Sequence, residues 1–299
     1  MTGEVFALIT AFFWTFTALA FESASKRIGS LHLNIIRLSI GLIYISIFTS
    51  FQRGYTLPVD AGANAWIWLS MSGLVGFVIG DYFLFKAFSV IGARVSLVIM
   101  TLAPLVAAVF SYFILGEVMS FRNIAGMLLT ISGISMVILS RNPGTDSAEK
   151  GLFKLHFPLR GLFFAFIGAL GQGVGLVLSK LGMGSYNAFA STQIRIIAGI
   201  AGFALLFTML RQWKALFRSL HDKKAMTTAA IGSFFGPFLG VSFSLLAVQR
   251  THAGIAQTIM SLTPVFILPI SVIIHKEKIN LREIIGTVLA VGGTVVFFI

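Results

Sequence analysis

Apolar stretches of about 20 residues, the length that crosses a ~30 Å hydrocarbon core as a helix, recur along this chain at short intervals. The first half predicts helices over Gly3–Phe21, Leu33–Phe51, Ala65–Phe88, Val95–Leu115 and Phe121–Leu139. The second half predicts them over Leu159–Leu178, Ala188–Leu210, Met226–Val248, Ala253–Ile274 and Leu281–Ile299. The longest polar connection, residues 141–157, holds Pro, Gly and charged residues at the midpoint. It reads as a linker between residues 1–140 and 158–299.

The two halves repeat one another. A shift of 158 lays Gly3 on Gly161 and Arg37 on Arg195; after a two-residue gap the shift becomes 160 and lays Leu102-Ala103-Pro104 on Leu262-Thr263-Pro264. Glu117, Arg122, Gly126 and Gly133 fall on Glu277, Arg282, Gly286 and Gly293. Internal repeats in an apolar chain mark transporters built from two related bundles. Five helices per half is an odd number, so related halves enter the bilayer from opposite sides. The expected fold is all-α and integral to the membrane: ten transmembrane helices as two inverted five-helix repeats around a central cavity.

Composition agrees with lipid as the solvent. Hydrophobic residues make up 57% of the chain and charged residues 11%, against roughly 25% charged in soluble domains. The 30 Gly and 30 Phe suit helices that approach closely and fill lipid. The first apolar run lacks a basic leader and a small-residue cleavage site, so it reads as a membrane helix rather than a signal peptide. No cysteine is present, which excludes disulfides and thiolate metal sites. The net charge of +12 sits in loops between apolar runs, where it reads as a topology signal facing anionic lipid and not as a nucleic-acid footprint. Loops after the odd-numbered helices hold most of the Lys and Arg, including Lys26, Arg27, Arg218, Lys223 and Lys224; the other set holds Arg53, Arg122, Lys180 and Arg250. By the positive-inside rule this bias puts both termini outside.

The segment Leu97–Glu117 (LVIMTLAPLVAAVFSYFILGE) resembles the fourth helix of EamA-type carriers of the drug/metabolite transporter superfamily, a Pro-bearing helix ending in Gly-Glu before a Gly-rich fifth helix. Gln257–Glu277 repeats it, with Lys276 in place of the Gly, and Trp14 resembles the family's opening motif. The resemblance implies a ten-helix carrier of small organic metabolites such as amino acids, usually an exporter; the lack of cysteine and of an Asn-x-Ser/Thr sequon suits a bacterial inner membrane. It also implies cytoplasmic termini, against the charge bias, and a basic loop between helices two and three, where this chain has only Arg53 and Asp60.

Comparing the halves sorts the polar residues. Those kept in both read as scaffold: Pro104 and Pro264 as mid-helix kinks or gates, and Glu117 and Glu277 as loop ties before the N-caps Ser120 and Asn280. Arg37 and Arg195 are kept inside helices, to snorkel or to meet an anion. Glu22 and Lys180, equivalent but opposite in charge, read as interfacial. Residues that differ are candidates for substrate contact: Asp81 opposite Val241, Lys86 opposite Leu246, Gln172 opposite Trp14, and Gln257 opposite Leu97. An ionised carboxylate as deep as Asp81 needs a partner, water or a proton, which makes it the candidate for coupling. Lys86, five residues on, does not share its face. Trp14 could stack an apolar part of a substrate or serve packing. Gln249, Arg250 and His252 fall at the turn between helices eight and nine.

Phosphate loops and hydrolase, metalloprotease and EF-hand patterns are missing, and the histidines lack ligand spacing. No catalytic residue, cofactor or metal is expected. The sequence therefore predicts a gradient- or exchange-driven carrier working by alternating access, as a monomer or homodimer, with a proton or counter-substrate as coupling partner. A channel-like facilitator and a drug or lipid translocator are the alternatives, with a membrane-embedded enzyme behind them.

Overall fold

Backbone amides in hydrocarbon have no water to bond, so a chain of this composition must satisfy them within helices. The computed structural model describes residues 2–140, 158–275 and 280–299, with the side chains of 93, 94 and 271–275 left aside. Among these residues every regular element is a helix. Ten helices are long and apolar enough to span a membrane: α1 (Gly3–Ile28), α2 (Ser30–Arg53), α3 (Ala63–Gly92), α4 (Val95–Leu115), α5 (Phe121–Ser140), α6 (Leu159–Met183), α7 (Ala188–Leu210), α8 (Lys223–Arg250), α9 (Ala253–Ile270) and α10 (Leu281–Phe298). The expected linker and Glu277 lie outside the described residues.

Glycines with positive φ make the sharpest turns. Gly29 (φ 79°) alone joins α1 to α2, and Gly92 (φ 79°, ψ 158°) breaks the run between α3 and α4. Such backbone is open to Gly at little steric cost. Short polar side chains start other helices: Asn187 accepts from the Phe189 and Ala190 amides, Asp222 from Ala225, and Asn280 forms a capping box with Glu283. Ser120 accepts from the Asn123 amide at 3.2 Å. A short helix, Trp213–Ser219, lies between α7 and α8.

Pro104 and Pro264 are not mid-helix. Both α4 and α9 break beforehand, at Thr101–Leu102 and Ser261–Leu262, and restart with the proline in the first turn. There its missing N–H is one the helix start leaves unpaired anyway, so the proline restarts a helix instead of bending a continuous one. Two other irregularities answer each other 160 residues apart. π-helical turns run over Leu74–Gly80 in α3 and Phe234–Gly240 in α8.

Packing crosses between the halves. α6 lies against α3 and α4 of the first half, while α1 lies against α8 and α9 of the second; α2 pairs with α7 and α5 with α10. The α5–α10 pair approaches along glycines. A Cβ added at Gly126 would come 2.9 Å from the Gly293 oxygen, and one at Gly286 2.8 Å from that of Gly133.

Candidate functional site

The π turn of α3 delivers Asp81 into the protein interior, where it is 7% exposed. Gly76 and Gly80 of the same turn let α6 come close. A Cβ at Gly171 would meet the Gly80 Cα at 2.6 Å, and one at Gly80 would meet Gln172 Nε2 at 3.3 Å. Glycine at these contacts is therefore required by the approach of the two backbones.

Asp81 has two direct partners. Arg37 of α2 donates from Nη2 to Oδ2 as a close ion pair, and Gln172 of α6 donates from Nε2 to Oδ1 at 2.8 Å. Gln172 also donates to the Gly76 carbonyl at 3.3 Å. The Arg37 guanidinium lies 5.7 Å from the Phe21 ring centroid. Arg37 therefore turns inward, and the snorkelling reading fails because the buried carboxylate outbids the headgroups.

Arg195 of α7 completes the group. It is 5% exposed, its guanidinium lies 4.8 Å from the Phe77 ring centroid, and its charge acts on Asp81. Its backbone presses on Gly73, and a Cβ at Gly76 would sit 3.6 Å from its Nη2. Among the described residues its side chain makes no hydrogen bond or ion pair, and Nε is buried without a partner. Arg37 and Arg195 are each the eighth residue of their helices, about 10 Å of helix from opposite ends. An ionised side chain costs up to about 2.5–3.5 kcal/mol on insertion scales, the full figure applying at the helix centre, unless it is paired. Two cations and one carboxylate stand together, drawn from both halves.

Further unpaired polar atoms share these helix faces. Both amide atoms of Asn34, three residues before Arg37, and the hydroxyl of Ser191, four before Arg195, are buried without partners, as is Arg37 Nε. Residues three and four apart lie on one side of a helix. Asn34 and Ser191 were not among the sequence candidates, since a lone Asn or Ser in an apolar helix carries no signal of its own.

The other candidates lie elsewhere or play different parts. Lys86 sits 4.5 Å from the Tyr82 ring centroid and 5.7 Å from that of Phe164, and makes no bond to Asp81. Gln257 is buried at 8% exposure in α9, and its side chain forms no bond with the cluster. Trp14 occupies the place that Gln172 has in the other half: a Cβ at Gly240 would meet its Nε1 at 2.6 Å. Packing on the second π turn thus accounts for Trp14.

Lys180 is not simply interfacial. It pairs closely with Glu117 and donates to the Thr251 carbonyl at 2.6 Å, while Glu117 also accepts from the Ala253 amide at 2.8 Å. Glu4 accepts from the Thr251 hydroxyl at 2.5 Å. Glu117 thereby joins α4, α6 and α9, a wider tie than a loop contact. Nearby, Arg53 pairs with Asp60, which accepts from Tyr186 Oη at 2.9 Å. The Gln249 amide donates to the carbonyls of Gly184 (2.9 Å) and Tyr186 (3.1 Å), so it is a strut between α6 and α8 rather than a free loop residue. Glu22 pairs with Lys26 on its own helix.

A ten-span helical bundle with a charge cluster shared between its halves has the build of a multi-pass membrane transporter. The family model of the EamA-like transporter family matches residues 1–139 and again 159–299, and the chain belongs to that family. It is 21% identical over 98% of its length to an uncharacterised transporter of Clostridium kluyveri, covering 92% of that protein. It is similar also to the chloroplast triose phosphate/phosphate translocator of Zea mays, at 22% identity over 97% of this chain and 71% of that one. A WAT1-related chloroplast protein of Arabidopsis thaliana is 23% identical over 92% of this chain and 64% of its own. One solved crystal structure superposes with a TM-score of 0.75 at 20% identity, over 99% of this chain and 95% of that one, a likeness of fold. The protein is a membrane transporter.

Proposed function

We propose that the protein is a secondary carrier of small organic metabolites, with its substrate site at Arg37, Asp81, Gln172 and Arg195. The observation that carries this is the Asp81 carboxylate. It is bonded by Arg37 of the first half and Gln172 of the second, with Arg195 beside it. A group that bridges both halves has different partners once the halves rock, and a ligand that binds there biases the two states. Inverted repeats, residues 1–140 and 158–299, are the architecture for such rocking. Asp81 is the coupling group: protonation breaks its pair with Arg37, and so does a competing anion. Export across a bacterial inner membrane is the direction that the family resemblance supports.

Counterflow in proteoliposomes tests the reading. Vesicles preloaded with an unlabelled amino acid or organic acid take up the labelled compound faster than empty ones if a carrier returns loaded. Asp81→Asn is expected to lower this exchange at least tenfold or to abolish its pH dependence. Flux insensitive to preloading would mean a channel. Unchanged exchange and pH profile in the variant would remove Asp81 from coupling.

A further inference from the structure

We infer that the substrate is a small organic anion, presenting a carboxylate or phosphate group to Arg195 and Arg37. The inference rests on the site proposed above. Its first ground is charge: the cluster holds two guanidinium groups and one carboxylate, so it carries one uncompensated positive charge in the membrane interior. The second is bonding. Asp81 is bonded by Arg37 and Gln172, whereas Arg195, 5% exposed, has only a ring face and the charge of a carboxylate bonded to others. An arginine offers five donors in a planar fork that matches a carboxylate or phosphate. The third is the kind of atom left unpaired on the two arginines. Arg37 Nε and Arg195 Nε are both donors, and both are buried without a partner. Buried polar groups are normally bonded, and unpaired guanidinium donors call for a ligand that brings acceptors. A neutral or cationic metabolite would leave the charge uncompensated.

Asp81 then acts as the resident counter-ion. It holds Arg37 when no substrate is present, and the incoming anion takes over part of that role. Anions thereby compete with an internal carboxylate, which keeps binding weak enough for release on the far side.

Thermal unfolding of the purified full-length protein tests the class, because a ligand of the folded state raises its apparent stability. The probes are succinate, lactate and glycerol 3-phosphate at fixed ionic strength, with succinamide and glycerol as neutral counterparts and putrescine as a cation. At least one anion is expected to raise the melting temperature saturably, while the neutral and cationic compounds do not. A carboxylate response against a phosphate response identifies the group. Arg195→Gln is expected to weaken that anion at least tenfold with its helical circular dichroism intact, and Arg195→Lys to recover part of the loss. The proposal is overturned if no anion acts, if neutral or cationic compounds act equally, or if Arg195→Gln and Arg195→Lys both leave anion binding unchanged. Counterflow separates this failure from that of the carrier. Exchange of a neutral or cationic compound would keep the carrier and discard the anion; anion binding without any exchange would do the reverse.

Discussion

At the scale of single residues, the protein is governed by the rule that a charge in hydrocarbon needs company. Asp81 and Arg37 supply it for each other. Removing one partner of a buried pair leaves the other uncompensated, at a cost of about 3–5 kcal/mol, whereas replacing both with apolar groups costs far less. Asp81→Leu is therefore expected to lower unfolding stability by about that amount, and the double variant Arg37→Leu/Asp81→Leu by less than Asp81→Leu alone. A double-mutant cycle on denaturant unfolding checks this; additive losses would show that the pair is not coupled. Asp81 and Gln172 stood out in the sequence because each is polar where the other half differs. That they bond one another did not, because pairing depends on how α3 meets α6, and one helix's residues do not encode its neighbour's rotation. Arg195 was legible as a kept arginine, but its lack of a partner appears only once the surrounding helices are in place.

Helices were the most legible level. Ten apolar runs gave ten spans, since length and hydropathy alone set what can cross a bilayer. Local irregularity was harder to read. The π turns at Leu74–Gly80 and Phe234–Gly240 leave only a faint mark, glycines at 76 and 80 and again at 236 and 240, and glycine in a membrane helix serves many ends. Pro104 and Pro264 were legible as breaks but not as restarts, because a proline in the first turn and one in mid-helix look alike in sequence. The kept glycines of the fifth and tenth helices, by contrast, mark a contact that the structure shows directly. Gly133 faces the Gly286 carbonyl and the Ala290 backbone, where no side chain fits. Gly133→Leu is expected to cost about 1–3 kcal/mol through overpacking, read as a lowered melting temperature. Gly292, with open space around a Cβ, is the control, and equal losses at both would show that the contact is not tight.

At the scale of the whole molecule, among the described residues the end that carries both termini is tied more heavily than the other. Glu117, Lys180, Thr251 and Glu4 form one tie and Arg53, Asp60 and Tyr186 a second. At the opposite end the described ion pair between helices is Arg27 with Asp222, 2.9 Å apart. These ties have to loosen for that end to open, which makes them the expected barrier to access from that side. Asp60 gives a handle on one of them. Burial pushes its carboxyl up, but the Tyr186 hydrogen bond and the Arg53 charge outweigh it and hold Asp60 below the ordinary 3.8. A depressed carboxylate contributes stability above its unfolded value and loses it as pH falls through the folded one. Asp60→Asn is therefore expected to melt below the native protein at pH 7, the gap closing as pH falls below 3.8. A gap that persists into acid would mean that the tie does not depend on the charge. The repeat and the buried arginines were readable along the chain; which end carries the ties was not, because ties such as Glu117 with Lys180 join residues distant in sequence.

The central claim is that the cluster around Asp81 is a transport site, reached from the two sides in turn. The chain contains no cysteine, so a single Gln172→Cys variant reports on that cluster alone. Its labelling by a membrane-impermeant maleimide, applied to one face and then the other in oriented vesicles, is the most direct measurement. The account predicts labelling from one face at rest, and a shift toward the other face when a transported anion is added. No labelling from either face under any condition would contradict it, leaving a structural ion pair; equal labelling from both faces at once would contradict it in favour of an open channel.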